Sequence, residues 1–467
     1  MVIPPPNSAD AVNDTTAQTT APLTPEEQRQ LVSDDLPEKD FGGREFNIIS
    51  RTNFTYEFDV EQTGDTLDDA LYARNTAVEE RFNVKIVTHA YGEGNMANVM
   101  EPLEKSIMAA DDAYQLGSAY TYKAAPGSLT GSFVNLYDVE MLNFDKPWWS
   151  KGFIEEASIN GKVYLATGDI SLLFNEVTLC MFFNKQMAED LKLGNVYDTV
   201  RAGDWTYDLM KQWCTAAAYD INGDGKMDES DRWGIGVNRY THVDCFLYAF
   251  EVPLSERGAD GLPVLKINNE KMASLVEMLS ALFHESDTAY LCDDPVLAFK
   301  DNMFENGQGL LMTSWLGNAA TLRDMDADFG IIPYPKWDAK QENYATYYLD
   351  RASSMVIPVT ADLDFVGVIV EALAAESYKK VIPAFYDVTL KGKSARDNES
   401  QEMIDLIREN ILFDFANIYA NGFVSDNPGH ILRTLVWGKD TGFASYYASR
   451  EDSYLTKLKE IIGMFDQ

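Results

Sequence analysis

Between residues 46 and 120 the hydrophobic pattern switches repeatedly between a period of two and one near 3.6, and this alternation narrows the possible folds most. A Gly42-Gly43 turn leads into 46–50, Phe-Asn-Ile-Ile-Ser, which reads as a strand. Residues 65–82 place Leu67, Leu71, Ala73, Val78 and Phe82 at helical spacing, and 84–88 returns to a strand pattern. A second helix is expected over 95–110 and a third strand over 114–120. Strands that alternate with helices build a parallel sheet with helices on its faces. Ligands of such sheets gather beyond the carboxyl ends of the strands. Tyr120 and Tyr122 fall at such an end and are candidate ligand contacts.

Further on, 160–169 reads as a strand opened by the Asn160-Gly161 turn, and 178–185 as a fully buried strand ending in Asn184-Lys185. A helix follows over 186–191, and another opens at 204–208 with Asp204 or Thr206 as its cap.

Directly after that helix comes Asp220-Ile-Asn-Gly-Asp-Gly-Lys-Met-Asp-Glu-Ser-Asp231. Asp220, Asn222, Asp224, Asp228 and Asp231 stand at positions one, three, five, nine and twelve of a calcium-loop pattern. Gly225 takes the sharp-turn position, and Lys226 at position seven offers only its carbonyl. Position twelve is Asp where a bidentate Glu is usual. The expected cofactor is calcium, held as a structural staple; the plainer reading is a solvated acidic turn. A sensor would carry paired loops between helices, whereas this loop runs into Trp233-Gly-Ile-Gly236, a strand pattern.

A chain of 467 residues exceeds one ordinary core and implies two lobes or more. Its formal charge of −36 repels nucleic acid and anionic membrane alike, so nucleic-acid binding is excluded as a main role. Cys180, Cys214, Cys245 and Cys292 lack zinc spacing and sit among apolar neighbours, which suits buried free thiols, with one disulfide as the alternative. His89, His242, His284 and His430 form no ligand motif. No apolar run approaches the ~20 residues of a membrane span. Residues 4–25 are rich in Pro, Ser, Thr, Asn and Ala and are expected to be a flexible tether. Opening at residue 1, that tether suggests a mature or recombinant form whose secretion signal has been removed.

Several segments, in order, carry a family resemblance. They are Gly161-Lys-Val-Tyr-Leu-Ala, Met181-Phe-Phe-Asn-Lys-Gln, Trp205-Thr-Tyr-Asp, the Asp-rich loop with Trp233-Gly-Ile, and Phe304-Glu-Asn-Gly-Gln-Gly-Leu-Leu-Met-Thr-Ser-Trp315. Phe329-Gly-Ile-Ile-Pro-Tyr-Pro-Lys336 and Asp350-Arg-Ala-Ser-Ser-Met-Val-Ile-Pro358 continue the series. From about residue 42 onward the chain resembles the extracellular solute-binding proteins of ABC importers, in the carbohydrate-type group that includes the maltose-binding proteins. The resemblance implies a periplasmic-binding-protein-like α/β fold, with two lobes joined by a multi-strand hinge and the ligand cleft between them. Residues 1–41 would be the tether, 42–172 with 331–378 the first lobe, and 173–330 with 379–467 the second, which holds the calcium loop 220–231. It further implies a monomer that delivers a carbohydrate, an oligosaccharide foremost, to membrane permease subunits. The membrane would be met only through an N-terminal lipid anchor, at the cell surface or, in a two-membrane bacterium, in the periplasm. A peptide or other polar solute is the alternative ligand. A glycan-degrading surface enzyme or its accessory module is the alternative class, although no serine-hydrolase, P-loop, dinucleotide or zinc-protease motif is present.

In that family the Met-Thr-Ser-Trp position carries a cleft aromatic, which makes Trp315 the leading candidate for stacking on a sugar face. A large ring beside Gly317-Asn318 suits the same role, with core packing as the plainer alternative. Tyr348, Asp350 and Arg351 precede the strand where the family's ligand-facing turn lies. The adjacent carboxylate and guanidinium either grip vicinal hydroxyls or form an ion pair that orders the turn. Asp169 at the expected crossing is a further candidate, with hinge capping as its alternative. Trp205 and Trp233 read as packing residues, and Trp148-Trp149 as a cleft lip or a surface anchor.

Overall fold

The computed structural model describes residues 23–93, 97–294, 296–300, 302–390, 398–423 and 427–466. Most of the tether, and the start of the helix expected from residue 95, lie outside the described residues. The chain divides after Ser33 into two units. In the first, the helix Pro25–Gln30 is held by a capping box between Thr24 and Glu27.

In residues 34–467, the first strands form where the period predicts: β1 Arg44–Arg51, β2 Val84–Tyr91 and β3 Leu116–Tyr120. The helices Thr66–Phe82 and Met100–Ala109 connect them. Asp65 caps the first helix by accepting from the Leu67 N–H at 2.9 Å, and Asn83 ends it in the left-handed region at φ 48°. β1 pairs in parallel with both β2 and β3.

A second sheet is built from β4 Leu179–Asn184 and β5 Trp233–Asn238, then, beyond the small hairpin β6 Ser255–Arg257 and β7 Pro263–Leu265, from β8 Ala289–Cys292, β9 Gly309–Trp315 and β10 Phe329–Ile332. Its order is β10-β4-β9-β5-β8, with β5 parallel to β8 and β9 and with β4 antiparallel to β9 and β10. Every residue of β4 is buried, as a strand covered on both faces requires. The chain then makes β11 Thr346–Tyr347 and returns to the first sheet as β12 Ser353–Val356, antiparallel to β3. Later, β13 Ile411–Leu412 pairs with β11. The first sheet therefore runs β12-β3-β1-β2.

Two expectations are corrected. Residues 160–169 form no strand and make single bridges instead of a ladder, among them Trp149 with Gly168 and Ala166 with Met355. At Gly168 an added Cβ would lie 2.2 Å from the Trp148 carbonyl oxygen, so the chain is pinned against 148–150 and cannot run on as a ladder. Trp148 and Trp149 are neither lip nor anchor. Both are buried, and their indole N–H groups donate to the two oxygens of Glu371 at 3.0 and 2.8 Å. All four cysteines are buried free thiols, as expected.

Burial pushes the Glu371 carboxyl up to about 7, against the opposing pull of the indole donors. Between an unfolded value near 4.5 and that folded value, the native state holds the extra proton. Its contribution to stability is therefore complete below about pH 4.5 and is lost as pH rises through about 7. Denaturant titrations at pH 5 and pH 8 should show a fall of a few kcal/mol from this group, on the order set by its shift. Glu371→Gln should remove that part of the slope; an unchanged slope would show that Glu371 does not set it.

Candidate functional site

The site begins at the carboxyl ends of the first sheet. Arg51 closes β1, and its guanidinium lies 3.6 Å from the centre of the Tyr120 ring and 4.3 Å from that of Phe54. It is fully buried, donates to Ser353 Oγ at 2.5 Å and stands 3.9 Å from the Glu57 carboxylate. Glu57 is fixed in turn by Ser171 Oγ, the Leu173 N–H and Ser353 Oγ at 2.6–3.0 Å. Tyr120 ends β3, and Tyr122 opens the helix Thr121–Gly127. The Tyr122 N–H donates to the Asp350 carbonyl at 2.9 Å, which ties this corner to the segment returning from the second sheet.

The second sheet supplies the opposing groups. Trp315 closes β9, half-buried, and meets the ring of His242 edge-on at 6.3 Å. His242 lies on the helix Thr241–Ala249 that follows β5, all of it buried. On this helix Asp244 forms an ion pair with Arg433, and Tyr248 stacks on Tyr347 at 4.8 Å. Asp350 and Arg351 lie close enough that their charges act on these groups: Asp350 on Asp244 and Tyr248, Arg351 on His242 and on Tyr120. Burial pushes the Asp244 carboxyl up to about 6 despite Arg433, and it raises Asp350 as well. Burial, helped by Arg351 and Arg433, pushes the His242 imidazole down to about 3, so the ring is neutral.

Five buried polar atoms of this region find no hydrogen-bond partner among the described residues: Thr241 Oγ1, His242 Nε2, Asp244 Oδ1, Tyr248 OH and Trp315 Nε1. Leaving such a group unpaired costs about 1–3 kcal/mol, so each of them calls for a polar partner beyond the described side chains. Arg51 Nε and Nη1 and Asn175 Oδ1 are unpaired in the same sense.

Of the expected ligand residues, the fold brings Tyr120, Tyr122, Asp350, Arg351 and Trp315 to one region. Tyr348 and Asp169 are engaged with the protein's own side chains. Tyr348 is packed among Phe153, Phe174 and Phe413, with its hydroxyl on Thr121. Asp169 is paired with Arg408 at 2.9 Å. Trp205 packs on Trp213 with its N–H on the Pro333 carbonyl, and Trp233 donates to the Asp228 carbonyl. Arg51, Thr241, His242, Asp244, Tyr248 and Arg433 were not singled out from sequence. A signal existed for three of them. Thr241, Asp244 and Tyr248 are polar residues three and four apart, one stripe on a helix whose remaining residues, His242 aside, are apolar.

The Asp-rich loop is closed at its neck by the Tyr219–Arg232 bridge. Asp220 accepts from the Gly223 and Gly225 N–H groups, Asn222 from Asp224, Asp224 from Lys226, and Asp231 from Ile221 and Asp228. Asp228 accepts from Ser230. Gly225 has φ 80°, the left-handed turn that its position in the loop demands. Among the described residues, no group of three or more His, Cys, Asp or Glu side chains is placed to hold a metal ion.

No protein-family model matches the sequence, and no curated protein matches it. Solved structures do. An ABC substrate-binding protein, Lmo0181 from Listeria monocytogenes, in complex with cycloalternan, aligns over 91% of this chain and 99% of its own, at 13% identity and TM-score 0.53. The GacH receptor of Streptomyces glaucescens, solved free and with acarbose, aligns over 89% and 99% at 14% identity and TM-score 0.55. The maltose/maltodextrin-binding domain MalE from Bdellovibrio bacteriovorus, bound to maltotriose, aligns over 89% and 99% at 15% identity and TM-score 0.52. Together with the two sheets, between which the chain passes and returns, these matches show that the chain has the two-lobe α/β fold of the periplasmic binding proteins.

Proposed function

We propose that this protein is the extracellular solute-binding component of an ABC importer and that it captures a carbohydrate, an oligosaccharide foremost, without turning it over. One observation carries the reading. Five buried polar atoms without a partner among the described residues lie on the helix Thr241–Ala249 and at Trp315, and the charges of Asp350 and Arg351 act both on this helix and on Tyr120. A hydroxyl both donates and accepts, so a sugar can satisfy such a mixed set while its C–H face lies on the indole. Neighbours of the same fold bound to cycloalternan, acarbose and maltotriose support the choice of solute. Capture would proceed by population shift: contacts to both lobes favour a closed form, which the permease subunits then recognise. No helix among the described residues is long and apolar enough to cross a membrane. A surface monomer on a Pro/Thr-rich tether, held by a lipid anchor, fits the reading.

A thermal-shift screen against mono- and oligosaccharides, short peptides and amino acids tests it. A ligand at about 100 times its Kd adds about 2.7 kcal/mol to the folded state. A rise with one glycan series, and no new products by chromatography, is the expected result. A rise with peptides alone would overturn the carbohydrate, and product formation would overturn the binding role.

We also propose that the 220–231 loop takes calcium as a structural ion, supported by its ligand spacing and its pre-formed turn at Gly225. Calcium should raise the melting temperature of the wild type by a few degrees, and Asp224→Ala should abolish that increment while leaving solute affinity unchanged. Equal melting temperatures with calcium and with chelator would remove the ion from the account.

A further inference from the structure

The unpaired atoms also have a polarity, and one of them is fixed by a relay deep in the second sheet. His242 Nδ1 lies 2.9 Å from Thr313 Oγ1, and Thr313 Oγ1 lies 3.2 Å from the Gly236 carbonyl oxygen. A carbonyl only accepts, so with the threonine hydroxyl donating to Gly236 the threonine oxygen receives its proton from the imidazole. The ring is neutral and carries a single proton, which this relay places on Nδ1. Its other nitrogen, Nε2, is left as a bare lone pair, buried and unpaired among the described residues. Two residues along the same helix, Asp244 commits one oxygen to Arg433 and keeps Oδ1 unpaired. Beside His242 stands a group that can only donate, Trp315 Nε1–H. Both His242 and Asp244 are 1% exposed.

Resting on the solute-capture reading above, we infer that His242 and Asp244 are specificity-determining acceptors that take two hydroxyl protons from the solute, and that Thr313 acts as a positioning residue by holding the His242 tautomer. The chemistry selects a neutral polyhydroxylated ligand. A carboxylate brings only lone pairs to meet the lone pairs of His242 and Asp244. An ammonium brings no acceptor for the indole N–H. Neighbouring hydroxyls do both.

The first test needs no ligand. In protein carrying ¹⁵N-labelled histidine at pH 7, His242 should show Nδ1 protonated and Nε2 bare, and Thr313→Val should shift the ring toward the opposite tautomer. A wild-type ring protonated on Nε2 overturns the inference. The second test uses calorimetry with maltotriose, ribitol and glycylglycine as probes. His242→Phe should weaken the bound sugar or polyol about 10- to 100-fold, and His242→Gln, whose amide oxygen can accept, should recover most of that loss. Thr313→Val, which removes no group from the ligand surface, should weaken it several-fold. A sugar that binds His242→Phe as tightly as the wild type overturns the assignment and leaves solute capture standing. Binding of glycylglycine in place of both sugar probes overturns the ligand class and the carbohydrate reading together, and so does binding of none of the three.

Discussion

Replacing Arg433 with Met should cost about 3–5 kcal/mol of folding stability at pH 8, the usual price of stranding one partner of a buried ion pair. Asp244 is buried and Arg433 half-buried, with side chains 2% and 16% exposed, and the two form an ion pair with each other. Without the guanidinium, Asp244 has a choice of two costs. It can stay charged in an apolar setting, or it can take a proton. Its carboxyl is already pushed up to about 6 with Arg433 present, so removing the cation raises it further. The variant's folded carboxyl then lies well above the ordinary value near 3.8, and the native state holds the proton over that whole window. The deficit is therefore smallest at low pH and grows as pH rises through the raised value. Urea titrations at pH 5 and pH 8 should show the loss widening with pH. The double variant Asp244→Asn with Arg433→Met should recover most of it, because no charge remains to be paired. A single variant as stable as the wild type at pH 8 would mean that this pair does not hold the helix Thr241–Ala249 against Ile431–Gly438.

How much of this was legible in the chain depends on the distance over which each feature is decided. The helix Thr66–Phe82 is a local matter, and its period announces it. The strand expected over 160–169 failed because alternation alone does not reveal what the chain must lie against. Gly168 meets the Trp148 carbonyl, and the segment has room for single bridges only. The Trp148-Trp149 pair looked like a surface feature because its acceptor, Glu371, lies more than two hundred residues away. In the site, Trp315 and Asp350-Arg351 were reached through family likeness, and Tyr120 and Tyr122 through their place at a strand end. Tyr348 sat beside them in sequence but turned into an aromatic interior, since neighbours along a chain need not share a face. His242, Asp244 and Arg433 carry no local mark of function. What distinguishes them is an unpaired atom or a partner on another element, and only the folded chain supplies that.

Trp315→Ala should weaken the bound carbohydrate by about 2–4 kcal/mol, the range of a central aromatic contact, or roughly 30- to 1,000-fold in Kd. β9 delivers the ring at its carboxyl end, His242 meets it edge-on at 6.3 Å, and the residue remains half-buried. Two contributions are lost with the side chain, the apolar face and the Nε1–H donor, and a second variant separates them. Trp315→Phe keeps a flat ring but cannot donate, so it should lose only the share of one hydrogen bond, about tenfold or less. If stacking dominates, Ala falls far below Phe; if the donor dominates, the two fall together. Stability should change less than affinity, because a ring that is still partly exposed in the folded chain contributes less burial than a core tryptophan such as Trp205. Melting curves without solute and titrations with it, on the same three proteins, make the comparison. Unchanged affinity in Trp315→Ala would place the solute elsewhere and remove the indole from the binding surface.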